Sequence, residues 1–154
     1  MTKARWCWTV FLLAGCGGGG PPVQPAPSAA AAVRGFMQAV ADSNVDKMAS
    51  LWGTASGPAL QTRQPPDYER RVAIMQAYLR HDSFRVTSDV EETANRRSLQ
   101  VELKRQTCTW SVPFVSIKAN NGSWLVNQVD LAAAGNPARP CLEGMTPGDT
   151  LSRP

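Results

Sequence analysis

The apolar residues of this 154-residue chain change their spacing once, near Ser83. Before that point they recur every three or four residues, which is the period of a helix that buries one face. After it they alternate with polar residues, which is the period of a strand with one face in a core. A chain that passes once from helices to strands predicts an α+β fold, with N-terminal helices packed on an antiparallel sheet.

Three helices are predicted before the change in period. Ser28 is a suitable N-cap for a helix over 29–42, and Asn44 is a suitable N-cap for a shorter second helix. A third helix is predicted to follow Asp67 and to run to about Arg80. The stripes that these helices are expected to bury are Val33, Phe36, Met37 and Val40 in the first, Val45, Met48, Ala49 and Trp52 in the second, and Tyr68, Val72, Met75 and Leu79 in the third.

Four strands are predicted after the change, at residues 83–91, 98–104, 108–118 and 124–131. Short polar connections, with Asn121-Gly122 before the last strand, favour a meander of antiparallel hairpins. Pro113 has no N–H to donate and therefore marks an edge or a bulge in the third strand. The segment 54–66, rich in Gly and Pro, is predicted to be a loop.

The first 28 residues divide into a leader and a linker. Residues 1–15 have a basic start and then an apolar stretch of about nine residues, which is too short for a bilayer span of about 20. The segment 16–28 is rich in Gly and Pro and has almost nothing to bury, so it is predicted to be a tether. Within the leader and the tether no fold is expected.

The leader ends in Leu13-Ala14-Gly15-Cys16, which resembles the lipobox of bacterial lipoproteins. The resemblance implies that Cys16 carries lipid and begins the mature protein, so that the chain is exported and membrane-anchored. Because residue 17 is Gly rather than Asp, it also implies the outer membrane where the organism has two membranes. An ordinary secretory signal with a nearby cysteine is the alternative.

Two cysteines remain once Cys7 leaves with the leader and Cys16 takes lipid. In an exported domain Cys108 and Cys141 most simply form one disulfide, which closes a loop of about 33 residues. Two free thiols are the alternative. Two cysteines and one distant histidine, His81, do not have the spacing of a zinc site, so no metal and no cofactor are expected.

The charge of the chain excludes one class of partner. The whole sequence has a net charge of +4, and removing the leader takes away Lys3 and Arg5 and leaves +2. So small a surplus does not indicate a nucleic-acid-binding surface, and no nucleic-acid partner is expected.

The order of three helices and a four-strand meander resembles the NTF2-like (SnoaL-like, cystatin-like) α+β cone. Residues 32–53 resemble the opening pair of helices of that family, and Asn121-Gly122-Ser123-Trp124-Leu125-Val126 is similar to the start of its last strand. The resemblance implies one domain at 29–131 with helices on a curved sheet of about four strands. The remaining residues, 132–154, are expected to be a mostly flexible tail.

Enzymes of the NTF2-like fold work in the cone between sheet and helices, which implies where a pocket would lie. The residues that could line such a pocket are Trp52, Tyr78, Trp110, Phe114, Trp124 and Asp130. Simple core packing is the alternative for the aromatic residues. Asp130 has the alternation of Trp124 and Val126 and could point inward, or it could end the strand in solvent. No catalytic set is expected.

The function expected from these features is that of a lipid-anchored envelope protein that binds without catalysis. Its partner would be a small apolar ligand or another envelope protein. The alternative is a small enzyme of the isomerase or dehydratase type that uses Asp130 or His81. A homodimer formed through the open sheet face is a further expectation.

Overall fold

The structure is a computed structural model and describes residues 25–139 and 141. The predicted leader at 1–15, the lipidation site Cys16 and the tether as far as residue 24 lie outside the described residues. So do residues 140 and 142–154 of the predicted tail. Within the described part of the chain, no helix is long and apolar enough to cross a membrane.

The fold is α+β, as predicted, with helices first and a four-stranded antiparallel sheet after them. Each strand of this sheet pairs with its neighbours in the chain, in the order β3-β4-β5-β6. The elements are α1 (Ala29–Ala41), α2 (Val45–Leu51), β1 (Gly53–Thr54), β2 (Gly57–Pro58), α3 (Ala59–Thr62), α4 (Tyr68–Tyr78), β3 (Ser83–Thr93), β4 (Arg96–Arg105), β5 (Cys108–Lys118), β6 (Trp124–Val129) and a final 3-10 turn, Ala132–Ala134.

Two of the predicted helix caps are confirmed. Ser28 Oγ and Asn44 Oδ1 each accept a backbone N–H three residues ahead, at 3.1 and 2.9 Å. Asp67 precedes α4 as predicted, but its side chain makes no capping hydrogen bond. Its carboxylate instead accepts from the guanidinium of Arg71, one turn further along the helix.

The segment predicted to be a loop contains β1, β2 and the one-turn helix α3. Gly53 permits this small hairpin, because a Cβ there would collide with the carbonyl oxygen of Gly57. Gly57 itself has φ +133°, a value that L side chains rarely adopt. Strands of two residues are too short to show a period, so alternation could not reveal them.

The core lies between the helices and one face of the sheet. The ring of Phe36 on α1 packs edge-on against that of Phe114 on β5, with 6.4 Å between centroids. Each large side chain buried here stabilises the fold by about 1.5–3 kcal/mol relative to exposure. The predicted stripes supply most of the helical side, and the sheet adds Leu99, Val101, Leu103, Val112, Phe114 and Val126.

A bulge in β6 changes which side chains face the core. Asn127 is the extra residue where β6 pairs with β5, and a bulge shifts the inward–outward alternation by one position. Val129, opposite the core residue Phe114, therefore takes the inward position. Asp130 consequently does not keep the alternation of Val126, and of the two positions that the sequence left open it takes the one in solvent, exposed after the end of the strand.

Pro113 lies in β5, which has a neighbouring strand on each side. It stands next to the point where the pairing of β5 with β6 ends. Pairing between β5 and β6 ends at Phe114 and Val129. The carbonyl of Pro113 accepts from the N–H of Asp130 at 3.0 Å, so its nitrogen also faces the β6 side. The missing N–H therefore faces the backbone of Asp130, one residue beyond the end of β6.

Packing extends past both predicted domain boundaries. Ala26, within the predicted tether, accepts a hydrogen bond from the N–H of Trp124 at 3.1 Å. Ala134, within the predicted tail, is fully buried in the core. The predicted disulfide between Cys108 and Cys141 is confirmed, with 5.9 Å between the Cα atoms. We call residues 132–139 and Cys141 the C-terminal strap.

Candidate functional site

An open groove of about 500 Å³ lies between α4, the end of β6 and the residue that follows α2. That volume is in the range of sites for small organic ligands. Its apolar lining consists of Trp52, Ile74, Met75, Pro113, Val115, Val129 and Leu131. Its polar lining consists of Arg71, Asn127, Gln128 and Asp130.

The helical wall comes from one face of α4. Arg71, Ile74 and Met75 are three and four residues apart and therefore share a face. Met75 is nearly buried because it also belongs to the core stripe, whereas Ile74 is 41% exposed. A large apolar side chain left at a groove mouth has surface that a ligand could remove from water.

The sheet wall forms because β6 ends before β5 does. β6 ends at Val129, and beyond it Pro113 of β5 is bonded on that side to the backbone N–H of Asp130. Val129 and Leu131 are half-buried, each packing partly on the core. The lining of the groove is therefore continuous with the core that supports it.

Trp52 is held in place by the bulge in β6. Its indole Nε1 donates to the carbonyl oxygen of Asn127 at 3.1 Å, and the Asn127 side chain donates to the carbonyl of Gly53 at 2.8 Å. The one polar atom of the indole is thus satisfied within the protein. The ring is left as an oriented apolar surface at the groove.

A half-exposed ion pair lies at the helical rim. Arg71 Nε is 2.9 Å from Asp67 Oδ1. This hydrogen bond from Arg71, with smaller electrostatic contributions from Arg71 and Arg70, holds the pKa of Asp67 below its usual value. Asp67 therefore stays ionised at neutral pH and keeps Arg71 paired.

Asp130 lies on the opposite rim and has a structural task. Its Oδ1 accepts from the backbone N–H groups of Ala132 and Ala133 at 3.1 and 3.3 Å. Asp130 thereby caps the 3-10 turn that begins the C-terminal strap. One of its oxygens is committed to the backbone.

The six residues predicted to form a pocket are divided among several places. Trp52 and Asp130 line the groove, and Phe114 is 1% exposed in the core. Trp124 lines a separate pocket of about 60 Å³ beside Ala26. Tyr78, the last residue of α4, and Trp110 on β5 both lie beside Arg105.

The half-buried ring of Trp110 is flanked by Arg105 and by the C-terminal strap. The guanidinium of Arg105 lies 5.0 Å from its ring centroid and donates to the carbonyls of Tyr78 and Arg80 at 2.6 and 2.9 Å. Gly135 of the strap lies directly against the indole edge. Burial lowers the pKa of Arg105.

His81, the alternative catalytic residue, lies outside the groove lining. Its Nδ1 is 2.8 Å from the carbonyl of Leu79, and its ring stands edge-on to Phe84 at 5.1 Å. Across the described residues, no group of three His, Cys, Asp or Glu side chains could hold a metal ion.

Sequence reasoning missed Arg71 and Ile74 as groove residues. One signal was available for Ile74, since it is a large apolar residue outside the predicted buried stripe of its helix. Arg71 shares its face three residues earlier. Their convergence with Pro113 and Val129 depends on where β6 ends, which no local pattern shows.

Comparison with known proteins adds no relative: no family model, no curated protein and no solved structure matches this chain.

Proposed function

We propose that this chain is a lipid-anchored envelope protein whose domain is NTF2-like and binds a small apolar ligand in the groove, without catalysis. The groove carries the proposal. Seven apolar side chains line it, and Ile74 is left 41% exposed at its mouth. Covering such a surface with an apolar ligand is favourable by about 25 cal/mol for each Å² removed from water.

The NTF2-like part of the proposal is supported by the order of elements. Helices precede a four-strand antiparallel meander, and they pack on one of its faces. The groove opens between a helix and the sheet, which is where the sequence resemblance implies a cone.

Export and lipid anchoring are supported by two features. The Leu13-Ala14-Gly15-Cys16 segment resembles a lipobox, and the Cys108–Cys141 disulfide suits an oxidising compartment. We propose that Cys16 carries lipid and that the protein faces the periplasm from the outer membrane where two membranes exist. Replacing Cys16 with Ser is expected to leave an unprocessed precursor that no longer partitions into detergent.

The enzyme alternative has less support. Asp130 lies exposed on the rim with one oxygen bonded to the backbone, and His81 does not line the groove. A general base needs to reach a bound substrate, and these two side chains do not share a site.

The test is native mass spectrometry of the full chain purified after export. We expect an adduct of a few hundred daltons that is lost on denaturation. Ile74→Gln should remove it, because a polar amide then replaces the exposed apolar surface of the groove. Val45→Gln is the matched control, since Val45 is similarly exposed, at 45%, but lies outside the groove.

A bare mass for the wild-type chain would contradict ligand binding and would favour a protein partner in the envelope. An adduct that survives in Ile74→Gln would place the ligand elsewhere on the chain. The same spectra report whether the protein is a monomer or a homodimer.

A further inference from the structure

We infer that the groove takes a single-chain amphiphile with a carboxylate head group, and that Arg71 binds that head group. This inference rests on the proposed ligand-binding function and specifies the class of ligand. Two observations support it. The terminal nitrogens of Arg71 have no partner among the described residues, and the two rims of the groove differ in charge, with Arg71 on one and Asp130 on the other.

Arg71 has unused hydrogen-bonding capacity at the groove. Its Nε donates a hydrogen bond to the carboxylate of Asp67 at 2.9 Å. Within the described residues, its two terminal nitrogens have no hydrogen bond or ion pair. A guanidinium presents its donors in a rigid planar arrangement that matches the two oxygens of a carboxylate.

Asp67 orients this guanidinium before any ligand arrives. The bond to Nε anchors one edge of the group to the first turn of α4. A group that is already oriented loses less conformational freedom on binding than a free arginine side chain does. Arg71 is thus both anchored and available.

The two rims differ in charge. At the helical rim, Arg71 lines the groove and gives Asp67 one hydrogen bond from Nε, which leaves the donors of its two terminal nitrogens for a ligand. On the opposite rim, the charge of Asp130 is offset in part by the two backbone N–H groups that its Oδ1 accepts. An anionic head group is therefore complementary to the helical rim, while a cationic one would meet arginine there.

The apolar walls account for the rest of the ligand. The lining between the rims includes Trp52, Val129 and Leu131, and the space is about 500 Å³. An alkyl chain can follow such a lining while its head group stays at the wet, half-exposed rim. We therefore expect a flexible amphiphile rather than a fully polar ligand.

The experiment compares three probes with the same alkyl chain: dodecanoate, dodecanol and dodecyltrimethylammonium. Each is titrated calorimetrically into the full chain at neutral pH, below the concentration at which the probe forms micelles. We expect dodecanoate to bind at least about tenfold more tightly than dodecanol, because a charge-assisted pair with Arg71 adds to the apolar contact. Dodecyltrimethylammonium should bind most weakly.

Arg71→Gln should remove the preference for dodecanoate and leave dodecanol binding unchanged. Arg70→Gln is the matched control, since Arg70 is the adjacent exposed arginine and does not line the groove. Dodecanol binding by both variants also verifies that each one folds.

Equal binding of dodecanoate and dodecanol to the wild-type chain would overturn the carboxylate inference and leave the apolar groove in place. Loss of the preference to the same extent in both arginine variants would overturn the role of Arg71. Binding of none of the three probes would overturn the proposed ligand-binding function together with the inference.

Discussion

Trp110 and Trp52 are both half-buried at the sheet, but the chain covers the first and leaves the second facing a groove. Trp110 lies beneath the guanidinium of Arg105, with Gly135 of the C-terminal strap against its edge. The indole Nε1 of Trp52 donates to the carbonyl of Asn127, and the ring lines the groove. One indole is flanked by a guanidinium and the C-terminal strap, and the other is held in orientation at the edge of a groove.

The two ends of the molecule differ in what lies against the apolar ring. At the Trp110 end the chain provides a strap, a residue without a side chain where the strap crosses the ring, and a disulfide beyond it. At the Trp52 end the neighbouring strand stops at Val129, and the part of the ring that does not pack on the core lines the groove. The second end is therefore where we propose that a ligand binds.

Breaking the covalent closure is expected to have the largest effect. Replacing both Cys108 and Cys141 with Ser should lower the free energy of unfolding by about 3–4 kcal/mol, because the unfolded chain regains the entropy of an open loop of 33 residues. Guanidinium chloride denaturation measures this loss. Reductant should destabilise the wild-type chain by a similar amount and leave the double variant unchanged. If the double variant is as stable as the wild type, the disulfide does not secure the strap.

Filling the contact between strap and indole should have the next largest effect. Gly135 has φ +72°, and an added Cβ would lie 2.5 Å from Trp110 Nε1. Gly135→Ala is therefore expected to cost about 2–4 kcal/mol, since backbone strain and overpacking add together. Gly122→Ala is the matched control, with φ +84° and open space around the new Cβ, and should cost about 1 kcal/mol. Urea denaturation compares the two, and equal costs would show that the strap does not press on Trp110.

The smallest effect concerns the rim of the open end. The hydrogen bond from Arg71 holds the pKa of Asp67 below its usual value, so the folded carboxyl loses its proton more easily than the unfolded one. The resulting stabilisation is present above the unfolded pKa and is lost as the pH falls through the folded pKa. An NMR titration should show the pKa of Asp67 rising in Arg71→Gln and changing much less in Arg70→Gln. The same low value in all three proteins would mean that Arg71 does not hold this carboxylate.

Much of the fold follows from local patterns. The change from helical spacing to alternation near Ser83 predicted the α+β architecture, and the caps at Ser28 and Asn44 lie where side-chain chemistry indicated. Two remaining cysteines in a chain with a predicted secretory leader indicated the disulfide. These features depend on residues a few positions apart, or on a pairing with one simple solution, so the sequence was sufficient for them.

The candidate site followed from the sequence only in part. Trp52 and Asp130 do line the groove, but strand alternation left Asp130 either inward or in solvent, and it is exposed because a single extra residue, Asn127, shifts the alternation of β6. No propensity indicates a bulge of this kind in advance, since it arises from how two strands pair.

The sequence by itself therefore determined the three longer helices, the four long strands, their order and the covalent link between Cys108 and Cys141. Only the tertiary structure decided which indole is covered and which one lines a groove, because that depends on where β6 ends relative to α4 and β5. The spacing of apolar residues in a helix or a strand shows which face of that element is buried, and it involves only residues that are close in the chain. A groove is a space between elements, so its walls are determined by the packing of segments that are distant in the chain.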